Sequence, residues 1–339
     1  MKRLLLGLLC LVLVLHPSRA LSLVVKLGTI APEGSPWYQA LLEIGDEWKR
    51  ISNGEVKLRI YGGGVAGDEP DMLRKIRIGQ LHAAALATSG LKTIVRDTQI
   101  LSFPMLIQTD GELDHILKKY GPGLEAQLEE KGFKVLNWSS AGWAYFFTRS
   151  PVVTTDDLKE HKLFFWGSDT SYIELLKRSG FQPVPLAVTD LLPSLQTGLV
   201  DAFGAPPAAA LSFQWFSLAP NMTDLKWEPL PGATVISIRS WRKIPEELRP
   251  KLEKAAREIG ARLQKRIMEL NDEAVEAMKG HGLKVFKVPP EVYRNWMVQV
   301  EEKSTPDFLK ERFSLETFEG IKAALKEYRR AHPEEKRTE

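Results

Sequence analysis

The chain opens on an apolar run, Leu4–Leu15, preceded by Lys2 and Arg3 and followed by His16-Pro17-Ser18-Arg19-Ala20. Twelve apolar positions fall short of the roughly 20 that a membrane-spanning helix needs. Small residues at Ser18 and Ala20 occupy the −3 and −1 positions of a signal-peptidase site, so export with cleavage after Ala20 is expected. Leu9 before Cys10 does not fit a lipoprotein signal.

Beyond that run the periodicity alternates between two and 3.6. Leu23–Gly28 reads as a strand. Ser35 and Pro36 then open a helix with Trp37, Leu41, Ile44, Trp48 and Ile51 on one face. Strands are predicted at Val56–Tyr61, Lys134–Trp138, Tyr145–Thr148, Leu163–Trp166, Thr234–Arg239 and Leu283–Val288. Helices are predicted at Asp68–Ile78, after Thr155, at Ser171–Ser179, Thr189–Thr197, Pro290–Glu302 and Leu315–Ala331. The helical pattern from Pro245 to Gly280 is the longest; its roughly 35 residues would measure about 50 Å at ~1.5 Å per residue. That exceeds the width of one domain of this size, so the helix is expected to run across two lobes.

Composition narrows the class. The 339 residues are 44% apolar and 26% charged, which is globular composition and excludes disordered, collagen-like and coiled-coil chains. Of 46 basic residues, Lys2, Arg3 and Arg19 lie in the leader, leaving 43 against 43 acidic residues. A balance of zero with no basic block argues against nucleic acid as a partner. The single cysteine, Cys10, lies in the leader too, so neither a disulfide nor a thiolate metal site is available to the rest.

No catalytic constellation emerges. Gly62-Gly63-Gly64-Val65-Ala66-Gly67 fits the spacing of a dinucleotide loop, but Leu81–Arg96 holds no acidic residue for a ribose. A tight strand-to-helix turn is the better reading. His82, His115, His161, His281 and His332 show no metal-ligand spacing, and no Gly-x-Ser-x-Gly elbow is present. Asp156 with Asp157 and Glu246 with Glu247 fall in first helical turns, where the helix dipole accounts for them. No enzyme activity, cofactor or metal is expected.

From Gly142 onward the chain resembles the solute-binding proteins of tripartite ATP-independent periplasmic (TRAP) transporters. The resemblance lies in Gly142-Trp143-Ala144, Pro151-Val152 and Asp157-Leu158-Lys159-Glu160-His161-Lys162-Leu163-Phe164. It continues through Leu195-Gln196-Thr197-Gly198-Leu199-Val200-Asp201-Ala202-Phe203-Gly204-Ala205-Pro206 and Trp241 with Ile244-Pro245. It also takes in Ser35-Pro36, Asn53-Gly54-Glu55-Val56 and Val65-Ala66-Gly67-Asp68, so that about residues 24–330 are covered. It implies an α/β fold of two lobes around a central cleft, with a long helix spanning both. Lobe I would comprise residues 21–143 plus about 231–260, and lobe II 144–230 plus about 275–310. Residues 245–280 would form the spanning helix and 311–339 a C-terminal helix and charged tail.

The departures concern the ligand. Family members place an arginine, a second arginine and an asparagine where this chain has Ala144, Phe164 and Ala205; the first two keep the family's 20-residue spacing. A methyl group or a phenyl ring cannot make a bidentate contact to a carboxylate. Ala144, Phe164 and Ala205, with Trp166, Phe203 and Trp37, are the candidate ligand-binding residues. Arg149, five residues beyond Ala144, is expected on the opposite strand face.

The expected function is therefore a periplasmic protein that delivers a predominantly apolar ligand, without an arginine-held carboxylate, to TRAP-type membrane permease subunits. As in some relatives with apolar clefts, a periplasmic helical-repeat protein is a further expected partner. The alternative is an extracytoplasmic scaffold that has lost its ligand. An open apolar cleft would favour the first, a cleft collapsed onto its aromatics the second.

Overall fold

The computed structural model describes residues 22–167 and 170–335, with only the backbone of Thr170 and Ser171; the leader lies outside the described residues. The chain begins with β1 (Leu23–Thr29), α1 (Pro36–Ile51), β2 (Val56–Tyr61), α2 (Glu69–Arg77), β3 (Ala83–Ala87) and the single turn α3 (Thr88–Leu91). Next come α4 (Asp110–Glu130), β4 (Phe133–Thr148), α5 (Thr155–Lys159), β5 (Lys162–Trp166), α6 (Thr170–Arg178) and β6 (Gln182–Leu186). They are followed by α7 (Leu191–Thr197), β7 (Ala202–Ala205), α8 (Pro207–Ser212), β8 (Asn221–Asp224), β9 (Glu228–Ser237) and α9 (Ile238–Trp241). The chain ends with α10 (Arg249–Lys279), β10 (Lys284–Lys287), α11 (Pro290–Lys303), α12 (Pro306–Arg312) and α13 (Leu315–Ala331).

The strand order is β2-β1-β3-β9-β4-β7-β5-β6, with β8 beside the end of β4 and β10 beside β8. The two predicted strands around Ser140 are one strand of 16 residues, β4. It bends without breaking because the register shifts between Ser140 and Trp143, and Gly142 takes φ +98° there. Its first part pairs with β9 on the β1–β3 side, and Tyr145–Thr148 pairs with β7 on the other. One strand thus joins both lobes of this two-lobed α/β fold.

Helix α10 binds the lobes together from outside the sheet. It starts at Arg249 rather than Pro245, with Pro250 in its first turn, and its 31 residues measure about 46 Å at ~1.5 Å per residue. Trp48 Nε1 of α1 donates to the Leu252 carbonyl at 2.9 Å, fixing one end. Further along, buried Asn271 donates to the Ala141 carbonyl at 3.1 Å and accepts from Ala208 N at 2.9 Å. A Cβ on Gly142 would stand 2.5 Å from Asn271 Nδ2, so this glycine is needed for close approach as well as for its dihedral.

Two elements in the stretch before β4 are not among those predicted from the sequence pattern. Helix α4 has 21 residues and carries Pro122 inside it, with Gly121 and Gly123 alongside, a run that reads as a breaker in the sequence. Strand β3, Ala-Ala-Ala-Leu-Ala, lacks the β-branched residues that mark strands. Helix α5 is capped by Thr154 rather than Thr155, in a reciprocal capping box with Asp157. The glycine run of residues 62–67 is a turn: Gly63 N and Gly64 N donate to the carbonyls of Ala31 and Thr29 in the loop after β1 and at its end.

Candidate functional site

A cavity of about 410 Å³ lies between the lobes, along the β4–β9 ladder. It is bordered on β4 from Asn137 to Phe146 and beside β9 from Trp227 to Thr234, the latter a run of roughly 23 Å at ~3.3 Å per residue. The size falls in the range of small-molecule sites, and the shape is drawn out along the strands.

Ala144, Phe164, Ala205, Trp166 and Trp37 all border this cavity. They arrive from β4, β5, β7 and α1, and three strands distant in sequence bring the three departures from the family pattern to one cavity. Phe103, Phe165, Phe213 and Trp215 extend the apolar lining. Phe213 and Trp215 stack with ring centroids 4.3 Å apart.

Phe203 is a correction: it does not border the cavity. Its side chain is 0% exposed and stacks on Phe147, with centroids 5.2 Å apart and planes within 7°. Arg149 also lies away from the cavity. Its guanidinium donates to the Leu195 carbonyl at 3.0 Å, the last turn of α7.

The motif Gln196-Thr197-Gly198-Leu199-Val200-Asp201 is scaffolding for this wall. Gly198 closes α7 at φ +72°, and Asp201 Oδ1 accepts from Lys162 N at 2.8 Å, with His161 Nδ1 at 3.1 Å. These contacts fix the start of β5 beside β7, and hence where Phe164 and Trp166 emerge.

Charged residues reach the cavity that the sequence pattern did not single out. Glu69, Lys92, Glu228 and Arg312 border it. The expectation of a cleft without arginine is thereby corrected: Arg312, at the end of α12, brings a guanidinium in from the C-terminal region. Residues 69, 92, 228 and 312 share no local motif, so nothing short of the tertiary fold assembles them.

Their environments differ. Glu69 is buried and accepts from Ala87 N and Ser89 Oγ, each at 2.6 Å. Burial nevertheless pushes its carboxyl up to about 8. Glu228 is half-buried against the cavity, and the carboxyl makes no hydrogen bond or ion pair among the described residues. Burial pushes it up to about 8 as well, although the cations Arg312 and Lys92 pull the other way. Trp37 Nε1 and Asn137 Oδ1, a donor and an acceptor on residues lining the cavity, are buried without partners among the described residues.

The lobes touch across the cleft beside this wall. Asp68 caps α2 by accepting from Glu69 N at 2.9 Å through Oδ1. Its Oδ2 accepts from Trp166 Nε1 at 3.2 Å and Val188 N at 3.3 Å. Among the described residues no group of three or more acidic, histidine or cysteine side chains is placed to hold a metal, and no helix is long and apolar enough to cross a membrane.

Residues 27–310 match the family model for bacterial extracellular solute-binding proteins, family 7. The C4-dicarboxylate-binding periplasmic protein of Rhodobacter capsulatus is 26% identical over 317 residues, covering 92% of this chain and 93% of that protein. The sugar acid binding protein of Advenella mimigardefordensis, solved with galactonate, superposes at a TM-score of 0.83 with 21% identity, over 90% of this chain and 98% of that one. A TRAP periplasmic solute binding protein from Sulfurospirillum deleyianum, solved with succinate, gives a TM-score of 0.82 with 18% identity, over 89% and 98%. The cleft, the strand shared between lobes and the long bridging helix are thus those of a known architecture, and the chain belongs to the bacterial extracellular solute-binding protein family 7.

Proposed function

We propose that this protein is a non-enzymatic periplasmic receptor that closes over a ligand with a largely apolar body and hands it to TRAP-type membrane permease subunits. Export would remove the leader after Ala20. A periplasmic helical-repeat protein remains a proposed additional partner. The observation that carries the reading is that Ala144, Phe164 and Ala205 all border a cavity otherwise lined mainly by aromatic and aliphatic side chains. An open cavity of about 410 Å³ supports a ligand-binding role over a collapsed scaffold.

The energetics suit such a ligand. At roughly 25 cal/mol per Å², burying ~300 Å² of apolar ligand surface contributes several kcal/mol without an ion pair. The relatives solved with galactonate and succinate bind small polar acids. A small dicarboxylate would find no arginine on the β4 wall and would leave that wall's apolar surface uncovered. Mass spectrometry of organic extracts from protein purified out of the periplasm tests the reading. A co-purifying molecule with a long aliphatic or polycyclic body is expected. Recovery of only small sugar acids or dicarboxylates would refute it.

A further inference from the structure

We propose that the ligand's apolar body ends in one anionic group, held at the side of the cavity where Arg312, Lys92 and Glu228 meet. This deepens the preceding reading and rests on it for the body of the ligand, but its own argument is electrostatic. The three side chains come from the end of α12, the turn after α3 and the start of β9, and all border the cavity. Both cations are close enough to Glu228 to act on its charge.

Arg312 is held in place from several sides. Its Nη2 donates to Gln99 Oε1 at 2.7 Å, and Gln99 Nε2 donates back to the Arg312 carbonyl. The guanidinium lies 4.4 Å from the ring centroid of Tyr172 and 5.2 Å from that of Phe308. A planar guanidinium set against two rings loses little further freedom on binding. It offers five N–H donors and an ammonium offers three, so a ligand anion can share them with groups of the protein.

Glu228 completes the donor set. It stands directly opposite Ala144 in the antiparallel β4–β9 ladder, so the two side chains share a face of the sheet. Where a long side chain at residue 144 would reach across, the methyl group leaves room in front of the carboxyl. Burial favours the protonated acid near neutral pH, and a protonated acid donates a hydrogen bond. Guanidinium, ammonium and carboxylic acid all carry hydrogens and all border the cavity. A carboxylate or another oxyanion accepts from all three, an alcohol accepts far less strongly, and a quaternary ammonium is repelled.

The test uses the full mature chain at pH 7 with dodecanoate, dodecanol and dodecyltrimethylammonium, which share one apolar body. Dodecanoate is expected to bind about tenfold or more tighter than dodecanol, the scale of one charged hydrogen bond, with the ammonium weakest. Arg312→Gln should erase the preference for the acid, read as the ratio of dodecanoate to dodecanol affinity in the same variant. Lys92→Gln, read in the same way, should reduce the preference and stands in if the Arg312 variant fails to fold. Equal binding of acid and alcohol, or tightest binding of the ammonium, would overturn this proposal and leave the apolar body intact. Binding of succinate through Arg312 with no chain compound bound would overturn the apolar body and keep the anion site. Binding of nothing would overturn both.

Discussion

Trp166 Nε1 donates to Asp68 Oδ2 across the cleft at 3.2 Å, joining the end of β5 in one lobe to the cap of α2 in the other. The same oxygen accepts from Val188 N, while the second carboxylate oxygen caps its own helix. One aspartate therefore serves local structure and lobe closure through separate atoms.

Asp68→Asn separates the two duties. The amide oxygen can still cap α2, but the NH₂ group cannot accept from Trp166 or Val188. Hydrogen bonds to a charged group contribute about 1.5–3 kcal/mol. The variant should keep its melting temperature within a few degrees and bind its ligand about tenfold or more weakly. Unchanged affinity by calorimetry would remove the latch from the account.

Two carboxyls, buried Glu69 and half-buried Glu228, contribute to the pH dependence of stability. Glu69 and Glu228 are both pushed up to about 8, against about 4.3 in an unfolded chain. The folded state therefore holds protons that the unfolded state releases, and stability falls as pH rises from about 4.5 to 8, levelling off above. The two carboxyls are shifted alike, so Glu69→Gln should remove about half of this slope. Thermal unfolding at pH 5.5 and 9 is the check: the parent should melt several degrees lower at pH 9, and the variant should show about half that difference. A parent that gains stability over this range would contradict the burial argument.

Phe203 and Phe164 should behave oppositely. Phe203 is fully buried against Phe147, so Phe203→Ala should cost about 3–5 kcal/mol in denaturant titrations. Phe164 borders the cavity, and Phe164→Asp should abolish binding of apolar ligands by placing a charge in their path. Circular dichroism should find the Phe164 variant folded. If Phe164→Asp unfolds the protein, the residue belongs to the core and not to the cleft wall.

Most of the fold could be read from residues, for identifiable reasons. Ser35 and Pro36 start α1, Gly198 stops α7, and the long apolar stripe of α10 demanded two lobes. Helix α4 was hidden because Pro122 sits inside it, where tertiary packing outweighs the local cost. Ala144 on β4 and Phe164 on β5 were legible as positions beside the cavity, since strand motifs at a fixed spacing carry their geometry with them. Phe203 failed because its ring is taken up by the core, stacked on Phe147, while Gly204 and Ala205 beside it reach the cavity. Glu228 and Arg312 left no local trace: one begins a strand, the other ends a short helix, and their meeting depends on how the C-terminal helices fold back. A lone acid at the head of the apolar run of β9 was the only hint of Glu228.

The central claim is that the cavity selects an apolar body before anything else. Calorimetry of the unmodified mature protein with dodecanoate and with succinate, each at two temperatures, tests it most directly. The account predicts micromolar or tighter binding of dodecanoate with a clearly negative heat-capacity change, and succinate weaker by a hundredfold or more, about 2.7 kcal/mol. Micromolar binding of succinate, with dodecanoate bound no tighter, would contradict it.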